Sequence, residues 1–161
     1  MPDTYICLGS NLGNRTEHLT AARGAIIARV GAITAESSIY DTAPWGPVPQ
    51  DNYLNQVVRV STALAPRELL GVLHEIERAA GRDRKNEVRY GPRPLDLDIL
   101  LYGDRAVKED GLTIPHPRIA ERAFVLVPLA EIAPKLSIAG ERAEKLLSRI
   151  DTTGVRRFDP V

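Results

Sequence analysis

Two aspartates spaced two apart, Asp96 and Asp98, stand inside the apolar run LDLDILLY at residues 95–102. Burying a carboxylate without a partner is costly, so the pair needs a reason. In a strand, residues i and i+2 project to the same face. Both carboxylates then lie on one side, and Leu95, Leu97, Ile99 and Leu101 on the other. Like charges this close raise each other's pKa. A divalent cation relieves the repulsion, and Mg²⁺ uses one or two carboxylates with water and phosphate oxygens filling its shell. A bare Asp-x-Asp is short and common; taken alone, it is better explained by a solvated face or pairing with arginines. The loop before it shifts the balance. Arg82, Arg84, Lys85, Arg89 and Arg93 all lie within residues 82–94. Carboxylates call for a cation and guanidinium groups for an anion; side by side they fit a metal–polyphosphate substrate. Gly91 and Pro92 suit a loop that closes over a ligand.

Other residues offer less by themselves. His116 sits between prolines in IPHPR, near Arg118 and Arg122, where it can serve as a rigid structural residue or meet phosphate. GSNLGNR lacks the Gly-Lys-Ser/Thr ending of a Walker A loop and reads as a turn with a helix start. His18 and His74 have no zinc-ligand spacing. Trp45, Tyr53, Tyr90 and Phe124 fall in or beside loops. There they either anchor the loop or stack on a flat heterocycle. No Ser/His/Asp order and no nucleophilic cysteine setting stands out.

The elements that must position these groups follow from periodicity and punctuation. Residues 4–9 read as a strand ended by Gly-Ser-Asn. A helix follows with Thr16 as N-cap, Leu19, Ala22, Ile26 and Val30 on its apolar face, and Gly31 at C′. Residues 33–40 read as a second strand. Residues 41–52, with three prolines and a glycine, form a long irregular loop of the kind that carries function. Residues 53–61 alternate as a third strand: Leu54, Gln56, Val58 and Val60 face one way, Tyr53, Asn55, Val57 and Arg59 the other. Pro66 opens and Gly81 closes a helix striped by Leu69, Leu73, Ile76 and Ala80. The strand bearing the two aspartates completes β-α-β-β-α-β, the ferredoxin-like order, an α/β (α+β) fold with an antiparallel-rich sheet. A loop near residues 113–124, an apolar segment at 125–134 and a short helix around 141–150 form a C-terminal extension.

Composition narrows the class. The 161 residues suffice for one domain, here read as 1–161, with a real core. Lys plus Arg and Asp plus Glu are 21 each, unlike a general nucleic-acid binder, so any anion site is local. The one cysteine, Cys7, allows no internal disulfide. With no signal-peptide pattern at the N-terminus and no run long enough to span a membrane, the expectation is a soluble cytoplasmic protein acting on small molecules, probing neither nucleic acid nor membrane, as a monomer.

Several stretches together resemble the 6-hydroxymethyl-7,8-dihydropterin pyrophosphokinase family: YICLGSNLGNR, SSIYDTAPWG, DNYLNQVV, RYGPRPLDLDILLYG and IPHPRIAERAFVLVPL. The resemblance runs from about Tyr5 to Pro134. It implies transfer of pyrophosphate from ATP to the hydroxymethyl group of the reduced pterin, with release of AMP, in folate biosynthesis. It implies two Mg²⁺ ions at Asp96 and Asp98, with ATP as co-substrate. Arg82 and Arg93 join the two acids as catalytic residues; Arg84, Ile99, His116 and Arg122 fall on the nucleotide side. Thr42, Ala43, Trp45, Tyr53, Asn55, Tyr90 and Phe124 fall on the pterin side, with Phe124 stacking and Asn55 hydrogen-bonding the ring edge. Glu77 stands where relatives often carry a glutamate near the site. The chain departs from the pattern at Tyr90 (commonly tryptophan), at Pro117 (tyrosine in some relatives), at His74 (glutamine), and by one extra residue between Arg82 and Arg93. The residues alone leave two other readings: a non-catalytic ferredoxin-like nucleotide-binding module, and another Mg²⁺-dependent nucleotidyl or phosphoryl transferase.

Overall fold

A computed structural model describes residues 1–44, 46–89 and 91–159. The expected order is present: β1 (Asp3–Ser10), α1 (Arg15–Arg29), β2 (Gly31–Glu36), β3 (Tyr40–Thr42), β4 (Tyr53–Thr62), α2 (Pro66–Ala79) and β5 (Asp96–Tyr102). The extension adds the hairpin β6 (Val107–Glu109) and β7 (Leu112–Ile114), then α3 (Ala123–Ile132). It ends with β8 (Ser137–Ile138), β9 (Glu141–Arg142), α4 (Ala143–Leu147) and β10 (Val155–Arg157). The main sheet runs β10-β3-β4-β1-β5, with β2 also on β4, and these pairings are antiparallel.

Helices α1 and α2 cover one face. Leu19, Ala22 and Ile26 from α1 and Leu69, Leu73 and Ile76 from α2 meet Leu8, Leu54, Val58, Val60 and Leu97 of the sheet. The stripes expected from sequence are the buried ones, because a 3.6-residue period on a helix and a two-residue period on a strand leave one apolar surface each. The opposite face carries Tyr5, Cys7 and Val57 under α3 and α4. That apolar segment is thus a helix, and it forms the second layer that creates the site.

Four expectations change. The N-cap of α1 is Asn14, not Thr16; Asn14 Oδ1 accepts from Glu17 N at 3.2 Å while Thr16 donates to the same oxygen. The second strand is two strands, β2 and β3, both on β4. Ser37 spans the break: its N donates to Val57 O and its Oγ accepts from Val57 N. Leu101 does not share the layer of Leu97 and Ile99. The β1–β5 register slips between Tyr5 and Ile6, which sends both Leu100 and Leu101 to the α3 side and returns Tyr102 to the α1–α2 side. The last helix is shorter than expected and is followed by β10, which extends the sheet beside β3.

Candidate active site

The sheet itself gathers the site. Asp98 pairs with Cys7, Asp96 with Gly9, Gly9 with Asn55, and Asn55 with Tyr40. Cross-strand partners share a face. Asp96 and Asp98 of β5, Tyr53 and Asn55 of β4, and Thr42 of β3 therefore all project toward the side occupied by α3. Gly9 makes room among them: a Cβ there would sit 2.6 Å from Asn55 Oδ1. The Asn55 amide lies across that gap, and its Nδ2 donates to Thr42 Oγ1 at 2.6 Å.

A cleft of about 200 Å³ opens on this face. It is lined by the uncharged Thr42, Ala43, Tyr53, Asn55 and Phe124 and by Arg93, Asp96, Asp98, His116 and Arg122. Phe124 comes from the first turn of α3, with the Arg122 guanidinium 5.4 Å from its ring centroid. A second cleft of about 310 Å³ lies on the other side of β5, where Arg84, Ile99, His74 and the β7 residues Leu112 and Thr113 meet. Asp98 and His116 line both clefts. Trp45 and Tyr90 lie outside the described residues.

Charge is arranged around the aspartates with uneven support. Asp96 Oδ1 accepts from Arg82 Nη1 at 2.9 Å and from Arg93 Nη1 at 3.3 Å. Asp98 receives no hydrogen bond among the described residues; burial, then the neighbouring Asp96 charge, pushes its carboxyl up to about 7. The same burial and the same two acids raise the Cys7 thiol beneath them, leaving it inert. Tyr53 is pushed up to about 12 by burial and then by Asp96, so its hydroxyl keeps its proton and donates to Gly91 O at 3.3 Å. His116 is pulled down to about 4 by burial, with Arg122 adding to it. Its Nδ1 accepts from Arg118 N at 3.2 Å, which leaves Nε2 as the N–H donor of a neutral ring.

Arg82 is enclosed by acceptors of the protein itself. Its side chain is 2% exposed, and it donates to Glu77 Oε2, Asp96 Oδ1, Leu95 O and both oxygens of Glu87. Burial opposes its charge, but Glu87, Asp96 and Glu77 more than offset this and raise its pKa. Glu77 is the hub behind it, 1% exposed; it accepts from Arg82, from Arg84 Nη2 at 2.7 Å and from Leu97 N at 2.8 Å. Sequence carried a sign of this: Glu77 falls four residues after Leu73, on the buried stripe of α2. Glu87 and Asn11 carried none. Asn11 is 3% exposed and joins the loops of residues 43–52 and 82–94, donating to Gln50 Oε1 at 2.7 Å and Asp51 O at 3.0 Å while accepting from Arg93 N at 2.8 Å. In sequence it looks like any turn residue.

Residues 5–134 match the family of 7,8-dihydro-6-hydroxymethylpterin-pyrophosphokinase. The chain belongs to this family. A 2-amino-4-hydroxy-6-hydroxymethyldihydropteridine pyrophosphokinase of Methylorubrum extorquens is 44% identical over 160 residues, covering 99% of this chain and 100% of that one. Its namesake in Bacillus subtilis is 44% identical over 154 residues, covering 94% and 87%. The fold is shared with the Plasmodium falciparum HPPK-DHPS chain solved with pteroate, at a TM-score of 0.77 and 14% identity, over 96% of this chain and 45% of that one. This chain also spans 23% of an Arabidopsis thaliana folate synthesis bifunctional protein, at 47% identity.

Proposed function

We propose that this chain catalyses the reaction of its family, moving pyrophosphate from ATP to the hydroxymethyl group of 6-hydroxymethyl-7,8-dihydropterin with release of AMP, in folate biosynthesis. The observation that carries the reading is the meeting of two clefts at Asp98 and His116. One cleft has an amide and an aromatic ring suited to a flat heterocycle; the other has Arg84 and an apolar floor suited to a nucleotide. Transfer between two bound molecules requires such adjacency, because most of the rate gain comes from positioning and charge stabilisation.

The donor set fits Mg²⁺. Two carboxylates share one face, and one of them, Asp98, has no hydrogen-bond donor among the described residues. Among the described residues no group of three or more His, Cys, Asp or Glu forms a protein-only cage. That suits an ion, or two, completed by phosphate oxygens and water. When bound, Mg²⁺ shields the phosphates and lowers the pKa of the attacking hydroxyl. The chain's own residues do the rest. Asn55 Oδ1, fixed by the bond from Nδ2 to Thr42, accepts an N–H from the pterin edge. Thr42 and Ala43 offer backbone groups beside it. Phe124 stacks on the ring. Arg93 and Arg122 face the phosphates, and neutral His116 donates Nε2–H to a phosphate oxygen. Arg84 and Ile99 border the nucleotide. Arg82 fixes Asp96, and through it the in-line geometry.

The reading takes the chain as one domain, 1–161, and as a cytoplasmic monomer. Free, buried Cys7 is in keeping with a reducing compartment. Incubating the purified protein with ATP, Mg²⁺ and the reduced pterin tests it. AMP and the pyrophosphorylated pterin form together. AMP formation without pterin, or none with it, overturns the reading. A nucleotide-binding module would bind ATP and release nothing.

A further inference from the structure

Glu87 is the one residue of 83–89 that is not exposed. Its neighbour Val88 is 62% exposed, so the loop gives an apolar side chain to water while an acid turns inward. That acid meets arginines. Arg82 Nε donates to Glu87 Oε2 at 2.8 Å and Arg82 Nη2 to Oε1 at 2.9 Å, a two-point grip on one edge of the guanidinium. Arg93 Nε lies 3.6 Å from Glu87 Oε1, buried and without a hydrogen-bond partner among the described residues. The other nitrogen of Arg82, Nη1, is held by Glu77, Asp96 and Leu95 O. Glu87 thus takes the one edge of Arg82 that the fold itself leaves to the loop, and it also faces Arg93.

A guanidinium edge that grips a carboxylate at two points grips a phosphate in the same way. We propose that Glu87 is a built-in stand-in for the phosphate chain: its carboxylate fills the Arg82–Arg93 seat until triphosphate displaces it and the loop that carries it. The proposal rests on the reading that Arg93 belongs to the phosphate side of the site. Glu87 then sets the affinity for the triphosphate and keeps the two arginines apart from other anions. Its loop location favours release, since residues 83–86, 88 and 89 are all exposed.

The test is calorimetric binding of inorganic tripolyphosphate with Mg²⁺ to four variants and the native chain. Glu87→Gln keeps the size of the side chain and removes its charge; it binds roughly tenfold more tightly, the scale of one charge-assisted contact no longer in competition. Glu87→Asp keeps the charge one methylene further back and falls between. Asp83→Asn removes the same charge from the same loop, but the side chain of Asp83, among the described residues, hydrogen-bonds only Lys85 and Asn86; its affinity stays at the native value. Arg93→Ala binds weakly. In steady state, Glu87→Gln lowers KM for ATP, whereas loss of a purely structural brace would lower kcat alone. No gain in Glu87→Gln, or an equal gain in Asp83→Asn, overturns the proposal while Arg93→Ala still loses binding. Native binding in Arg93→Ala overturns the reading beneath it.

Discussion

Replacing Asp98 by asparagine should stabilise the protein while abolishing its turnover. Asp98 is half-buried beside Asp96 and receives no hydrogen bond among the described residues, so its ionised form is held at a cost. Moving a carboxyl from 3.8 to about 7 corresponds to at most about 4 kcal/mol. The carboxyl keeps contact with water, which reduces the working figure to about 2 kcal/mol. For a chain of this length that is a rise in Tm of about 4–8 °C. The sign follows from proton linkage. The folded state holds the Asp98 proton more tightly than the unfolded chain, so the native protein loses stability as pH rises from about 4 to about 7. Asparagine has no such proton. The gain of Asp98→Asn is therefore full above pH 7 and shrinks as pH falls toward 4.

Thermal melts of the metal-free native and variant proteins at pH 8 and pH 4.5 measure this directly. A variant no more stable than the native chain at pH 8 would refute the reasoning, since it would mean that Arg93 and Arg122 already neutralise Asp98. Turnover supplies the second arm. Loss of a metal-binding carboxylate removes several kcal/mol of charge stabilisation from the transition state, on the order of a thousandfold in rate or more. Stability gained and activity lost in one substitution would mark Asp98 as a residue kept for chemistry at the expense of the fold.

Gly9→Ala places a methyl group 2.6 Å from Asn55 Oδ1 and pushes that amide aside; pterin affinity measured by calorimetry should fall about tenfold, with about 1–3 kcal/mol lost in urea unfolding. Phe124→Ala should cost roughly 1–3 kcal/mol of pterin binding if the ring stacks, and unchanged affinity would remove Phe124 from the pocket. His116 titrates near 4 in the fold against an ordinary 6.5. The unfolded chain takes up that proton first, so stability is lost as pH falls from 6.5 to 4, by about 1–3 kcal/mol. In His116→Gln, urea midpoints should show a smaller loss across the same window; an identical acid profile would show that the ring is not what titrates.

Fold order, and the gathering of several candidate residues on one face, were legible because each rests on a local rule. Period two put Asp96 and Asp98 on one face; Pro66 and Gly81 marked α2; the same alternation placed Asn55 and Tyr53 opposite Leu54. What escaped depends on register or on long-range partners. The slip between Tyr5 and Ile6 that reverses Leu101 has no sequence mark. Ser37 bridging two strands looks like an ordinary strand residue. Asn11 and Glu87 act through residues 40 and 5 positions away, and only the folded loops bring those partners to them. Arg82 was legible as important but not as buried, since one sequence cannot tell a solvated arginine from one enclosed by three acids.

That enclosure has a structural purpose beyond the site. In the sheet order, β5 is an edge strand, and an edge exposes unpaired backbone groups. Here the outer edge is closed by the groups that organise the chemistry. Glu77 accepts from Leu97 N, Arg82 donates to Leu95 O, and His116 N donates to Leu100 O. Protection of the edge at Leu95 and Leu97 and the hold on Asp96 therefore depend on the same two side chains, Glu77 and Arg82. Such an edge can remain rigid while the loop beside it moves, because Glu77 holds Arg82 from α2 and not from the loop. Only Glu87, on the loop, has to leave for an anion to enter. The division between a fixed acid on the helix and a movable acid on the loop lets one buried arginine serve both the fold and an exchangeable ligand.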